Sequence, residues 1–71
     1  MKRTKTQKES DIVTAVKAWN NGFKEDMGFD PLIEVMAARW REVLYYDDFA
    51  RLLEGLIRAG KLVEKDRKYR A

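Results

Sequence analysis

Five cations crowd the last eleven residues of the chain: Lys61, Lys65, Arg67, Lys68 and Arg70, opposed only by Glu64 and Asp66. Cations clustered in this way neutralise phosphates and release condensed counterions, the dominant sequence-independent term in nucleic-acid binding. A second basic group, Lys2, Arg3, Lys5 and Lys8, occupies the first eight residues with no acid among them. Residues 9–60 hold six basic and ten acidic side chains, so the net charge of +3 conceals an acidic body between two basic ends. The same end charges also suit solvated tails, and they need ordered elements behind them before they become a surface.

Other chemistries find few residues to work with. There is no histidine and no cysteine, which removes the usual general base, the thiolate nucleophile and most zinc ligation. The carboxylates are scattered or placed to cap helices rather than paired for acid–base work. The expectation is a protein that is not an enzyme, with no cofactor, no metal and no small-molecule substrate. No apolar run approaches a bilayer span, and the first residues lack the apolar stretch of a signal peptide. The expected setting is therefore cytoplasmic, without membrane contact, and nucleoid-associated if the chain binds DNA.

The elements that must position these charges follow from periodicity. At 71 residues with 45% hydrophobic side chains, the chain suits one domain with one small core. Thr6 followed by Glu9 matches a capping box, and Ile12, Ala15, Val16, Trp19 and Phe23 recur at helical spacing, predicting a first helix over 7–21 behind a flexible basic arm, 1–6. Asn20, Asn21 and Gly22 should end it, with Lys24 to Gly28 as loop. Asp30 before Pro31 predicts a second helix over 31–41, with Ile33, Met36, Ala37 and Trp40 facing inward. Asp47 and Asp48 predict the cap of a third helix over 47–59, whose stripe is Phe49, Leu52, Leu53, Leu56 and Ile57 and whose terminator is Gly60. A single helix from Pro31 to Ala59 is the rival pattern. Beyond Gly60, residues 61–64 and 67–70 have strand composition around a tight turn at Lys65-Asp66, a short basic hairpin spanning about 61–70. Both tryptophans fall on apolar faces and belong to the core, whereas one of Tyr45 and Tyr46 must face solvent.

The run from Phe49 through Ala50-Arg51-Leu52-Leu53-Glu54-Gly55-Leu56-Ile57-Arg58-Ala59-Gly60-Lys61 to Leu62 resembles the winged-helix superfamily, in which such a helix ends in an apolar pair, a glycine and a strand that opens a wing. The resemblance implies a mostly α fold with a small β-hairpin, a three-helix winged helix-turn-helix. It also implies duplex DNA as partner, with the third helix in the major groove and the wing along the backbone. The contact residues so implied are Lys61, Lys65, Arg67, Lys68 and Arg70 on the wing, Arg51 and Arg58 on the helix, and Lys2, Arg3 and Lys5 on the arm.

Charge divides these candidates. Asp47 and Asp48 stand at the helix end that a major-groove reader pushes deepest, where they repel flanking phosphates. Arg51 and Arg58 each follow an acid by four residues, Asp47 and Glu54, and so also read as ordinary helix-surface pairs. The expectation is a small regulator or accessory factor bound mainly through wing and arm. With four to six phosphates contacted, log K should fall against log salt with a slope of about −4 to −5. The alternative is a protein-interaction or dimerisation module, drawing on the acidic helix and on Val35, Val43, Leu44 and the two tyrosines. A viral or phage accessory protein is a third reading of the same short chain.

Overall fold

Thr4 stands at the start of the first helix: its hydroxyl accepts the backbone N–H of Gln7 at 3.2 Å while the Gln7 side chain accepts the N–H of Thr4 at 2.9 Å. This reciprocal capping box opens α1 (Lys5–Phe23) two residues before the expected Thr6 and Glu9 start. The computed structural model describes residues 3–71; Lys2 of the expected arm lies outside them. Within them Lys5 and Thr6 are helical, and Arg3 just precedes the helix.

The other elements are β1 (Met27–Gly28), α2 (Phe29–Trp40), α3 (Tyr46–Arg58), β2 (Val63–Lys65) and β3 (Lys68–Arg70). This is a mostly helical fold with a small antiparallel sheet, in the order of a three-helix winged helix-turn-helix. α1 runs past Asn20-Asn21-Gly22 and ends at Lys24, whose left-handed backbone turns its N–H to the Asn20 carbonyl. α2 starts at Phe29 rather than Pro31, with Gly28 in extended backbone at its N-cap, and the Phe29 ring packs against Tyr46 and Phe49 at centroid distances of 5.3 and 5.7 Å. Asp30 accordingly does not cap α2; its carboxylate accepts the Tyr46 hydroxyl instead.

Arg41 ends α2 in the left-handed region at φ 55°, which breaks the rival continuous helix. α3 then begins at Tyr46, with Asp47 and Asp48 inside its first turn rather than at the cap; there they act on the positive end of the helix dipole. At the far end Gly60 takes φ 75°, its N–H donating to Ile57 and that of Lys61 to Leu56. These two bonds form a Schellman termination, which needs a left-handed residue at the position of Gly60.

The core gathers Ile12 and Val16 from α1, Leu32, Ile33, Met36 and Trp40 from α2, Phe49, Leu53 and Leu56 from α3, together with Met27, Leu62 and Tyr69. Trp40 is fully part of this core, while Trp19 is only partly buried beside an exposed Phe23. Both Tyr45 and Tyr46 face solvent. Among the described residues one charged side chain is buried: Asp11 accepts the Trp40 indole N–H at 2.9 Å and pairs with the Arg3 guanidinium. Lys8 sits alongside, 2.8 Å from Glu42 and 5.1 Å from the centre of the Trp40 ring. Together these contacts tie the start of α1 to the end of α2.

Met27 and Gly28, expected to be loop, pair antiparallel with Tyr69 and Lys68, so the hairpin is a three-stranded sheet in the order β1-β3-β2. Asn20 fastens the same edge. Its amide donates to the carbonyls of Glu25 and Tyr69, and its oxygen accepts the N–H of Ala71.

Asp11→Ala leaves the buried Trp40 N–H without its acceptor and the Arg3 cation without its partner. Urea unfolding should show a loss of about 1–3 kcal/mol; an unchanged midpoint would mean that water replaces the carboxylate at no cost.

Candidate nucleic-acid interface

Strand alternation decides what the hairpin presents. The register sets Lys65 opposite Lys68, Glu64 opposite Tyr69 and Val63 opposite Arg70. Side chains of paired residues share a face and successive residues swap faces. Tyr69 is buried against the core, so Glu64 lies on that inner face, and Lys65, Lys68 and Arg70 form a basic outer face with the exposed Val63.

The strands join through Asp66 and Arg67, at φ 54° and 60°. This is a two-residue loop of the mirror-image type, shifted one residue from the expected Lys65-Asp66 turn, and such loops favour Asn-Gly or Asp-Gly because both central residues need positive φ. Arginine at the second position is strained, and two lysines directly across the ladder repel each other. Neither choice serves stability. Lys65, Arg67 and Lys68 are exposed and make no ion pair among the described residues.

The other expected contact residues are distributed elsewhere. Arg70 is held by Asp26 at 3.0 Å, which offsets its charge. Arg3 is committed to Asp11 and is no free arm. Lys5 and Arg51 flank one small depression with Glu9 and Asp48, and Arg51 pairs with Asp48 at 3.7 Å. That i, i+3 contact takes the place of the expected pair of Asp47 with Arg51, and the expected pair of Glu54 with Arg58 does not form. Arg58 is exposed on the last turn of α3. Lys61 adjoins Lys17, Thr14 and Glu9 of α1, away from the hairpin tip. The structure thus brings together three cations at one tip and leaves the rest dispersed or paired.

Between α3 and the hairpin runs a cleft of about 640 Å³. Its apolar lining includes Phe29, Pro31, Ala50, Leu53 and Ile57, and its charged lining is Asp30, Glu54 and Glu64 against Arg67 alone. The Tyr46 hydroxyl donates to Asp30 at 3.2 Å. That bond, with the negative charge of Asp30 behind it, holds the Tyr46 phenol above its ordinary pKa. Burial, then Glu64, raises Tyr69 on the opposite wall. The cleft as a whole is therefore acidic, although α3 itself contributes only Glu54 to its charge. Sequence reasoning missed this cleft because Asp30 reads as a helix cap and Glu64 as one more wing charge; period-two alternation from Tyr69 was the available signal.

Among the described residues no group of three acidic side chains is arranged to hold a metal ion, and no helix is long and apolar enough to cross a membrane. No protein-family model matches the chain, and no curated protein or solved structure shows significant similarity to it.

Arg67→Gly removes the strain at the second turn position. It should raise the unfolding free energy by about 0.5–1 kcal/mol in urea titrations, whereas a loss would mean that the Arg67 side chain makes stabilising contacts in the cleft it lines.

Proposed function

We propose that the chain is a small non-enzymatic protein of winged-helix type that binds duplex DNA through its hairpin tip, as a regulator or accessory factor. The observation that carries this reading is the combination at the tip of a like-charged Lys65–Lys68 pair with an arginine in left-handed backbone. Both features cost stability, and both are explained by a partner rich in phosphates, which would relieve the repulsion and use all three cations. Lys65 and Lys68 extend from one face of the sheet, with Arg67 at its end, a spread suited to neighbouring phosphates along a backbone.

Base reading by α3 is a minor part of this proposal. Asp47, Asp48 and Glu54 outnumber Arg51 and Arg58 on its exposed side, and the cleft beside it adds Asp30 and Glu64. Affinity then comes from counterion release, and base contacts add little. With Arg3 and Arg70 engaged by acids of the fold and Lys5, Arg58 and Lys61 away from the hairpin tip, the contacts proposed are the three tip cations Lys65, Arg67 and Lys68, fewer than the four to six phosphates expected from the sequence.

Fluorescence anisotropy with a short labelled duplex tests this. Three phosphate contacts give a slope of log K against log salt of about −3. Lys65→Glu combined with Arg67→Glu should weaken binding to all duplexes alike and flatten the slope, while Arg51→Ala should leave sequence preference unchanged. A flat salt titration of the unmodified protein, or full binding by the double variant, would contradict the proposal.

A further inference from the structure

We infer that the cleft between α3 and the hairpin is a docking site for a segment of a partner protein that carries an apolar anchor flanked by lysine or arginine. This inference does not rest on the DNA reading: it uses the inner face of the hairpin where that reading uses the outer face and tip, and the two share only Arg67, which borders the cleft.

Three features of the cleft fix the chemistry of the occupant. Its floor is apolar, with Phe29, Ala50 and Ile57 partly buried but left in contact with the opening. It is an open cleft of about 640 Å³, room for one or two large side chains. Its rim carries Asp30 from the first turn of α2, Glu54 from the middle of α3 and Glu64 from β2, so three separate elements converge with the same sign of charge.

Four acids are offset by cations of the chain and the three at the cleft are not, a state they share with Glu9, Glu25, Glu34, Asp47 and Asp66; their convergence on one apolar floor is what sets them apart. Asp11, Asp26, Glu42 and Asp48 are each matched by a cation of the chain. Asp30, Glu54 and Glu64 have no such match among the described residues, although Arg67 lines the same cleft. An apolar floor edged by unmatched carboxylates complements a cationic, apolar-anchored segment and disfavours a nucleic-acid strand. Asp30 is also held in place by the Tyr46 hydroxyl, so one wall is ordered before any partner arrives.

The test is a titration of the ¹⁵N-labelled protein with the synthetic peptide acetyl-Gly-Lys-Leu-Arg-Trp-Lys-Gly-amide, and with two controls. In one control serine replaces Leu and Trp; in the other glutamate replaces Lys and Arg. The parent peptide should shift the amides of Phe29, Ala50, Ile57 and Glu64, and the serine control should bind at least about tenfold more weakly. Glu54→Lys with Glu64→Lys, both at exposed positions and checked for folding by circular dichroism, should weaken the parent peptide about tenfold. The inference is overturned if the parent peptide causes no cleft shifts, or if the serine control binds equally, which means diffuse charge attraction. It is also overturned if the glutamate control shifts the same amides, if a duplex DNA shifts those of Phe29, Ala50 and Ile57, or if they shift with protein concentration alone, which makes a second copy the occupant.

Discussion

A two-stranded hairpin is marginal in water unless a third strand or a helix supports it. The basic hairpin of this chain depends on two residues, Met27 and Gly28, which hydrogen-bond the inner edge of β3, and on Asn20, which fastens the strand carbonyl at Tyr69 and the backbone at Ala71. Met27 and Tyr69 then enter the same core as Leu62 and the helices. Without this edge pairing the closing residues would be a charged, fraying tail. With it, their side chains acquire a face, and alternation along β2 and β3 sorts basic groups outward and Glu64 and Tyr69 inward.

That sorting gives the two surfaces of the hairpin opposite electrostatic character within a few residues. On the outside, Lys65 and Lys68 carry positive charge with no ion pair among the described residues, and the strained Arg67 extends it at the turn while also bordering the cleft. On the inside, Glu64 joins Asp30 and Glu54 around an apolar cleft. The helix that closes this cleft has its apolar stripe in the core and acids in its first turn, which suits its own dipole and not a phosphate backbone. Asp11 performs a comparable separation at the other end of the molecule, where it withdraws Arg3 from the basic group near the start of the chain.

Much of the framework was legible from residue types. The stripe from Phe49 to Ile57 and the glycine at position 60 define α3 and its Schellman end, because a 3.6-residue period and a left-handed terminator are local properties. The hairpin was legible for the same reason, though its turn lies at Asp66-Arg67, where the backbone adopts a geometry usually reserved for Asn-Gly. What was hidden depends on distant partners. β1 is two residues long and has no period of its own; its pairing with Tyr69 and Lys68, about forty residues later, makes it a strand. Two overlapping capping boxes, Thr4 with Gln7 and Thr6 with Glu9, compete for the start of α1, and local sequence does not rank them. Arg3 looks like a free arm until α1 turns Asp11 toward it. Asp30 looks like a cap until α3 brings the Tyr46 hydroxyl within hydrogen-bonding distance.

The central claim is that the outer face and tip of the hairpin, rather than α3, meet nucleic acid. Backbone amide shifts of the ¹⁵N-labelled protein on titration with a short duplex DNA test it most directly. Shifts should concentrate at Lys65, Asp66, Arg67 and Lys68 and be largely absent from residues 47–58. Shifts concentrated on residues 47–58, or none anywhere at low salt, would contradict it.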